Sequence, residues 1–138
     1  MQEDKLEEYK LKIALAKLRN DRIELYEIIN NLPKDKELLE FIAETCPIFI
    51  AFNYAKTKGM YSKKIEGRVC KEAKELIVHW ANKFGGSDKL RTAVCESSDP
   101  LHPYLYASLV DKRFHKETYE AVKGTYKFAD YCEMIGTC

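Results

Sequence analysis

What the chain lacks narrows its class first. No segment approaches the roughly 20 apolar residues needed to cross a bilayer; the longest apolar run is Pro47-Ile-Phe-Ile-Ala-Phe52, and no membrane contact is expected. There is no Asn-x-Ser/Thr sequon. The start, Met1-Gln-Glu-Asp-Lys-Leu, has neither the basic opening nor the apolar stretch of a secretory leader, so the expectation is a cytoplasmic protein. The five cysteines (46, 70, 95, 132 and 138) are odd in number and scattered, with no Cys-x-x-Cys among them, which argues against a disulfide framework and a zinc knuckle alike. They read as small core residues, except that Cys132 and Cys138 could pair and tie down the tail in an oxidising compartment.

The signatures of the easily recognised enzymes are missing too. The sequence holds no Gly-rich phosphate loop, no Gly-x-Gly-x-x-Gly, no Gly-x-Ser-x-Gly and no His-Glu-x-x-His. The expectation is a non-enzymatic protein with no cofactor and no metal.

What is present points to helices. With 46% hydrophobic and 33% charged residues in a chain of 138, there is enough apolar surface for one self-sufficient domain over 1–138. Glycine and proline are absent from Glu3 to Asn31, which predicts one continuous helix of roughly 40 Å. Leu11, Leu18, Leu25 and Leu32 recur in it every seven residues, as along a helix–helix seam. A second stripe, Leu6, Tyr9, Ile13, Ala16 and Ile23, makes the apolar face broader than a two-stranded coil requires.

Asn30-Asn31-Leu32-Pro33 ends that helix. Asp35 can cap the next, and Pro47 either kinks the chain or opens the apolar helix over 47–58. Ser62 can cap a helix reaching Phe84, with Ile65, Val69, Ala73, Leu76 and Trp80 buried and Gly85-Gly86 closing it. Short helices follow around Asp88–Glu96 and from Pro103 to Val110, and a last helix spans about Glu117–Ile135. The fold class is all-α: an irregular bundle of about five to seven helices with a long N-terminal helix.

Three groups of side chains could carry function. The first is histidine. Glu75 and His79 stand four apart, enough for half a metal site, but the chain lacks the duplicated Glu-x-x-His of dimetal bundles. His79 therefore reads as a hydrogen-bonded histidine on the buried stripe beside Trp80. His102 and His115 lie near Cys95 and Cys132 at spacings that miss the zinc hook.

The second is charge. Residues 1–44 carry eight Lys/Arg against eleven Asp/Glu, whereas 56–74 carry seven against two. Lys63, Lys64, Arg68, Lys71 and Lys74 could bind the phosphates of DNA or RNA; the alternative is a solvated face with Arg68–Glu72 and Lys71–Glu75 pairs. The third is tyrosine. Five of nine lie in the last third, and tyrosine suits an interface as well as a core rim.

The leading reading is an interaction or structural subunit that self-associates, or docks on a protein partner, through Leu11, Leu18, Leu25, Tyr104, Tyr106, Tyr119 and Tyr131. The alternative is a nucleic-acid-binding subunit using the basic segment.

Overall fold

The computed structural model describes residues 2–138. Among them are ten α-helices, one 3-10 turn and one π-helical segment, with no strand. The all-α class holds, but the helices are more numerous and shorter than the periodicity predicts. Contacts divide the chain into two compact units, Met1–Glu66 and Gly67–Cys138.

The first unit opens with α1, Glu3–Leu18, and α2, Arg22–Asn30. The expected single helix breaks here without glycine or proline. Asn20 adopts the left-handed conformation (φ 54°), which its short polar side chain tolerates better than most. The Asp21 N–H reaches back to the Ala16 carbonyl at 3.3 Å, and the Asn20 N–H to that of Lys17 at 3.0 Å, the bonding pattern of a Schellman stop. Asp21 then caps α2, its carboxylate accepting the Glu24 N–H at 2.9 Å. One dipeptide thus stops a helix and starts another. The chain folds back, so that Tyr9 and Lys12 of α1 share a groove with Glu24, Glu27 and Ile28 of α2.

The remaining starts and stops of this unit fall where the sequence marks them. Asp35 caps α3, Lys36–Thr45, accepting the Leu38 N–H at 2.9 Å. Pro47 immediately precedes α4, Ile48–Lys58, which left-handed Gly59 closes. Ser62 caps α5, Lys63–Glu72, which carries the chain into the second unit. The core of the first unit includes Ile13, Leu25, Ile29, Leu38, Ile42, Ala51 and Tyr54, all buried.

In the second unit the predicted helix to Phe84 is interrupted. Ala73 leaves helical geometry (φ −149°, ψ 70°), a 3-10 turn covers Lys74–Leu76, and α6 runs Ile77–Phe84. The break shifts the register: Ile77 and Trp80 are buried, whereas Leu76 is only partly so and His79 is exposed. His79 is therefore not the buried structural histidine that an unbroken stripe implies.

Ser87 caps α7, Asp88–Cys95, and α8 spans Leu101–Tyr106. A π segment, Ala107–Asp111, follows, with the Lys112 N–H bonded to the Ala107 carbonyl at 2.6 Å and Lys112 itself left-handed. The expected last helix is two, α9 (Lys116–Val122) and α10 (Phe128–Ile135). Gly124 turns between them at φ 78°, and the Thr125 hydroxyl donates to the Val122 carbonyl at 2.6 Å. Cys132 and Cys138 form a disulfide across the Gly136 turn that ends α10, so the pairing the spacing allows is present.

Candidate interaction surfaces

The leucine row splits at the Asn20–Asp21 turn. Leu25 and Leu32 belong to the core, whereas Leu11 is 59% and Leu18 84% exposed, with Leu15 between them also exposed. Restarting the helix after a left-handed residue resets its phase, so a seven-residue spacing that crosses the turn no longer marks one face. Helix α1 accordingly has two apolar sides. Leu6, Ile13 and Ala16 pack inward, while Leu11, Leu15 and Leu18, at steps of four and three, face out. Ile23 and Tyr26 of α2 are exposed as well.

Charge along α1 is graded. Glu3 and Asp4 stand in its first turn, followed by Glu7 and Glu8; Lys17 lies in the last turn, and Arg19 and Arg22 flank the stop. This is the order that favours the helix dipole. Glu8 sits between Lys5 and Lys12, at 3.6 and 3.3 Å. Its hydrogen bond from Lys12 is the main influence holding its carboxyl below the usual range.

The tyrosines sort differently from the sequence-based expectation. Tyr106 and Tyr131 are fully buried, and with Leu25 they drop out of any interaction surface; Tyr104 and Tyr119 are partly buried and pack on the cluster of Ala107, Val122 and Tyr131. The reason is visible in the hydroxyls. Tyr106 accepts the Ser87 N–H at 3.0 Å and donates to the Ser87 carbonyl at 3.1 Å. Tyr131 does the same with His115, at 3.3 and 3.4 Å.

Tyr54 in the first unit donates to the Pro33 carbonyl at 2.7 Å and accepts the Asp35 N–H at 3.4 Å. Asp35, Ser87 and His115 are the residues immediately before α3, α7 and α9. Each tyrosine therefore fills the core with its ring and latches the start of a helix with its hydroxyl. Burial pushes all three phenols above the ordinary value, partly offset by the backbone hydrogen bonds.

Polar groups of the second unit converge on Asp111. Arg91 donates to both of its oxygens at 2.7 Å and to Asp88 at 2.6 Å, with only 11% of the Arg91 and 7% of the Asp111 side chain exposed. The Arg91 guanidinium is raised further above its ordinary value, chiefly by the Asp111 hydrogen bonds. His115 Nε2 lies 3.7 Å from Asp111 Oδ1. Cys95 donates weakly to Thr118 at 3.9 Å, and burial pushes its thiol up to about 11. A nucleophilic cysteine needs the opposite shift, so Cys95 stays a thiol at neutral pH. His102 Nδ1 is 2.8 Å from the Ser97 hydroxyl. No group of three or more metal-ligating residues occurs among the described residues.

The unit boundary divides the basic tract, although Lys63, Lys64, Arg68 and Lys71 share one helix, α5. Lys63 and Lys64 belong to the first unit and line a groove with Lys34, Lys36 and Tyr61. Arg68, Lys71 and Lys74 belong to the second. Arg68 is engaged by both carboxylate oxygens of Glu72, at 2.7 and 3.2 Å, as the four-residue spacing predicts. Lys74 donates to the Cys70 carbonyl at 2.7 Å, and with Lys71 and Lys89 it borders a groove that also contains Asp88 and Glu96. Glu75 lies beyond the break at Ala73, off α5, so the spacing that would pair it with Lys71 no longer runs along one helix.

The chain matches no protein-family model, no curated protein and no solved structure.

Proposed function

We propose that this chain is a non-enzymatic assembly subunit, and that the outer face of α1 pairs with a second copy of itself. The observation that carries the reading is the outward set Leu11, Leu15 and Leu18 on a helix whose opposite side is already satisfied by the core. Solvation alone does not call for three leucines at helical spacing.

The charge gradient supports a second copy as the occupant. In an antiparallel pair, the acidic start of one α1 (Asp4, Glu7, Glu8) lies opposite Lys17 and Arg19 at the end of the other, Arg19 being shared with its own Glu24 at 2.7 Å, and a twofold axis repeats the contact. A parallel pair sets like charge against like.

Magnitudes set the strength. Full burial of a leucine contributes about 1.5–3 kcal/mol, while association costs about 4 kcal/mol or more in lost translational and rotational freedom. Three leucines from each copy, of which Leu11 and Leu15 are already partly covered, leave a modest surplus, so the expected dimer is reversible and depends on concentration.

Sedimentation equilibrium tests this. The wild-type chain is expected to move from monomer to twice that mass as concentration rises. Leu11→Glu combined with Leu18→Glu is expected to remain monomeric with an unchanged helical spectrum, since both side chains lie outside the core. A wild-type chain that stays monomeric at every concentration would overturn the reading.

A further inference from the structure

Apart from the leucine face, the first unit contains a groove of about 640 Å³ between α3 and the turn leading into α5. Leu39, Ala43 and Met60 give it an apolar lining, and Lys34, Lys36, Lys63 and Lys64 bring four cations to it from two separate segments. Glu40 and Glu44 also line it, but Lys64 neutralises Glu44 at 3.2 Å. Lys34, Lys36 and Lys63 have no ion-pair partner among the described residues, so their charge is available to a ligand.

Tyr61 borders the same groove and is 54% exposed. Its hydroxyl donates to the carboxylate of Glu66, which is itself buried, so one edge of the ring is fixed while much of the ring meets solvent. The groove therefore offers a positioned flat π surface beside several cations.

We infer that this groove binds single-stranded nucleic acid, with one base stacked on Tyr61 and the adjoining phosphates held by Lys34, Lys36 and Lys63. Aromatic stacking next to a cationic groove is how single strands are held without sequence choice. An acidic peptide would use the lysines but has no need of the ring, which is why the nucleic acid is favoured. The inference stands apart from the assembly reading, because it involves none of the α1 leucines. It also relocates the phosphate contacts: two members of the 56–74 tract, Lys63 and Lys64, line the groove, joined by Lys34 and Lys36 from outside it, whereas Arg68, Lys71 and Lys74 do not line it.

The test is fluorescence anisotropy of a short labelled oligouridylate with the full chain, titrated at several salt concentrations. Binding should weaken steeply with salt. Tyr61→Ala should weaken it at least about fivefold, the low end of what one base–aromatic stack contributes, and Tyr61→Trp should restore it. Lys34→Ala with Lys63→Ala should reduce the salt slope by about 1.4, at about 0.7 per phosphate contact on a single strand. Lys71→Ala with Lys74→Ala should leave both affinity and slope unchanged.

Absence of binding at low salt would overturn the inference. So would an affinity indifferent to Tyr61, or a polyglutamate peptide that displaces the oligonucleotide with equal strength. Melting curves of the lysine variants are expected to overlay the wild type because those side chains are exposed, whereas Tyr61→Ala also removes a hydrogen bond from buried Glu66 and should melt lower; binding measured well below each variant's melting temperature separates loss of the site from loss of the fold.

Discussion

Both units solve one structural problem, short helices joined by tight turns, but they differ in which polar groups they bury and which apolar ones they expose. In Gly67–Cys138 the polar groups turn inward: Arg91 and Asp111 are nearly buried, and Tyr106 and Tyr131 each spend a hydroxyl on the start of a helix. In Met1–Glu66 one tyrosine, Tyr54, has that role, the ion pairs lie on the surface, and apolar side chains turn outward along α1 and α2. An inward polar group fixes a unique arrangement when fully partnered, because leaving it unpartnered is costly. An outward leucine stabilises nothing until something covers it. The second unit thus holds a nearly buried ion pair and the first a row of exposed leucines on one helix, although Leu109, Phe114 and Tyr126 are exposed in the second as well.

The contrast is broken most severely at Asp111. Asp111→Ala leaves the nearly buried Arg91 with only Asp88, and is expected to cost about 3 kcal/mol, the lower end for a buried pair stripped of one partner. Its counterpart in the first unit is Glu44→Ala. That variant removes an exposed pair with Lys64 and should cost under about 1 kcal/mol. Chemical denaturation of the two variants measures the difference; equal losses would show that the inward–outward distinction has no energetic content.

The tyrosine latches give the next effect. Tyr106→Phe keeps the ring but strips the Ser87 N–H of its partner, an expected loss of about 1–3 kcal/mol, and Tyr54→Phe should resemble it. The pH dependence follows from the raised phenols. A group whose pKa is raised on folding stabilises the fold below its unfolded pKa and ceases to do so as pH rises through the folded value. Stability should therefore hold through neutral pH and fall above about 10, the ordinary tyrosine value. Phenolate absorbance should then show exposed tyrosines ionising first, with Tyr54, Tyr106 and Tyr131 titrating only as the chain unfolds. In the triple Phe variant that late phase should vanish.

The smallest effect is at the tail. The Cys132–Cys138 link closes a loop of few residues, so Cys138→Ser should cost no more than about 2 kcal/mol. Mass spectrometry should show the wild type gaining the mass of two hydrogens on reduction, and the variant gaining nothing.

Much of this architecture is legible in the sequence where the cause is local. Asp35, Ser62 and the Pro47 start act within a few residues of their position, and each does in the structure what its chemistry predicts. The break at Asn20–Asp21 has a local cause as well, but a search for glycine and proline passes over it; asparagine followed by an acid three residues ahead of Glu24 is the signal that would find it. A seven-residue spacing read across that break places Leu25 on the outer face, whereas the phase reset turns it into the core. The smaller break at Ala73 likewise turns His79, which an unbroken stripe buries, out to solvent.

The latches were illegible for a different reason. Whether a tyrosine hydroxyl meets water or a backbone N–H depends on residues between sixteen and twenty-one positions away, and nothing in the composition of the last third distinguishes Tyr106 from Tyr104. The basic tract likewise reads as one run along the chain, yet Lys63 and Lys64 line one groove and Lys71 and Lys74 another.

The central claim is that α1 presents its outer leucines to a second copy while the second unit keeps its polar groups to itself. Amide chemical shifts followed across a dilution series test it residue by residue. The account predicts shifts that change with concentration at Leu11, Leu15 and Leu18 and at the charged ends of α1, with Ser87, Arg91, Asp111 and His115 unmoved. Concentration-dependent shifts confined to the second unit, or none anywhere in the chain, would contradict it.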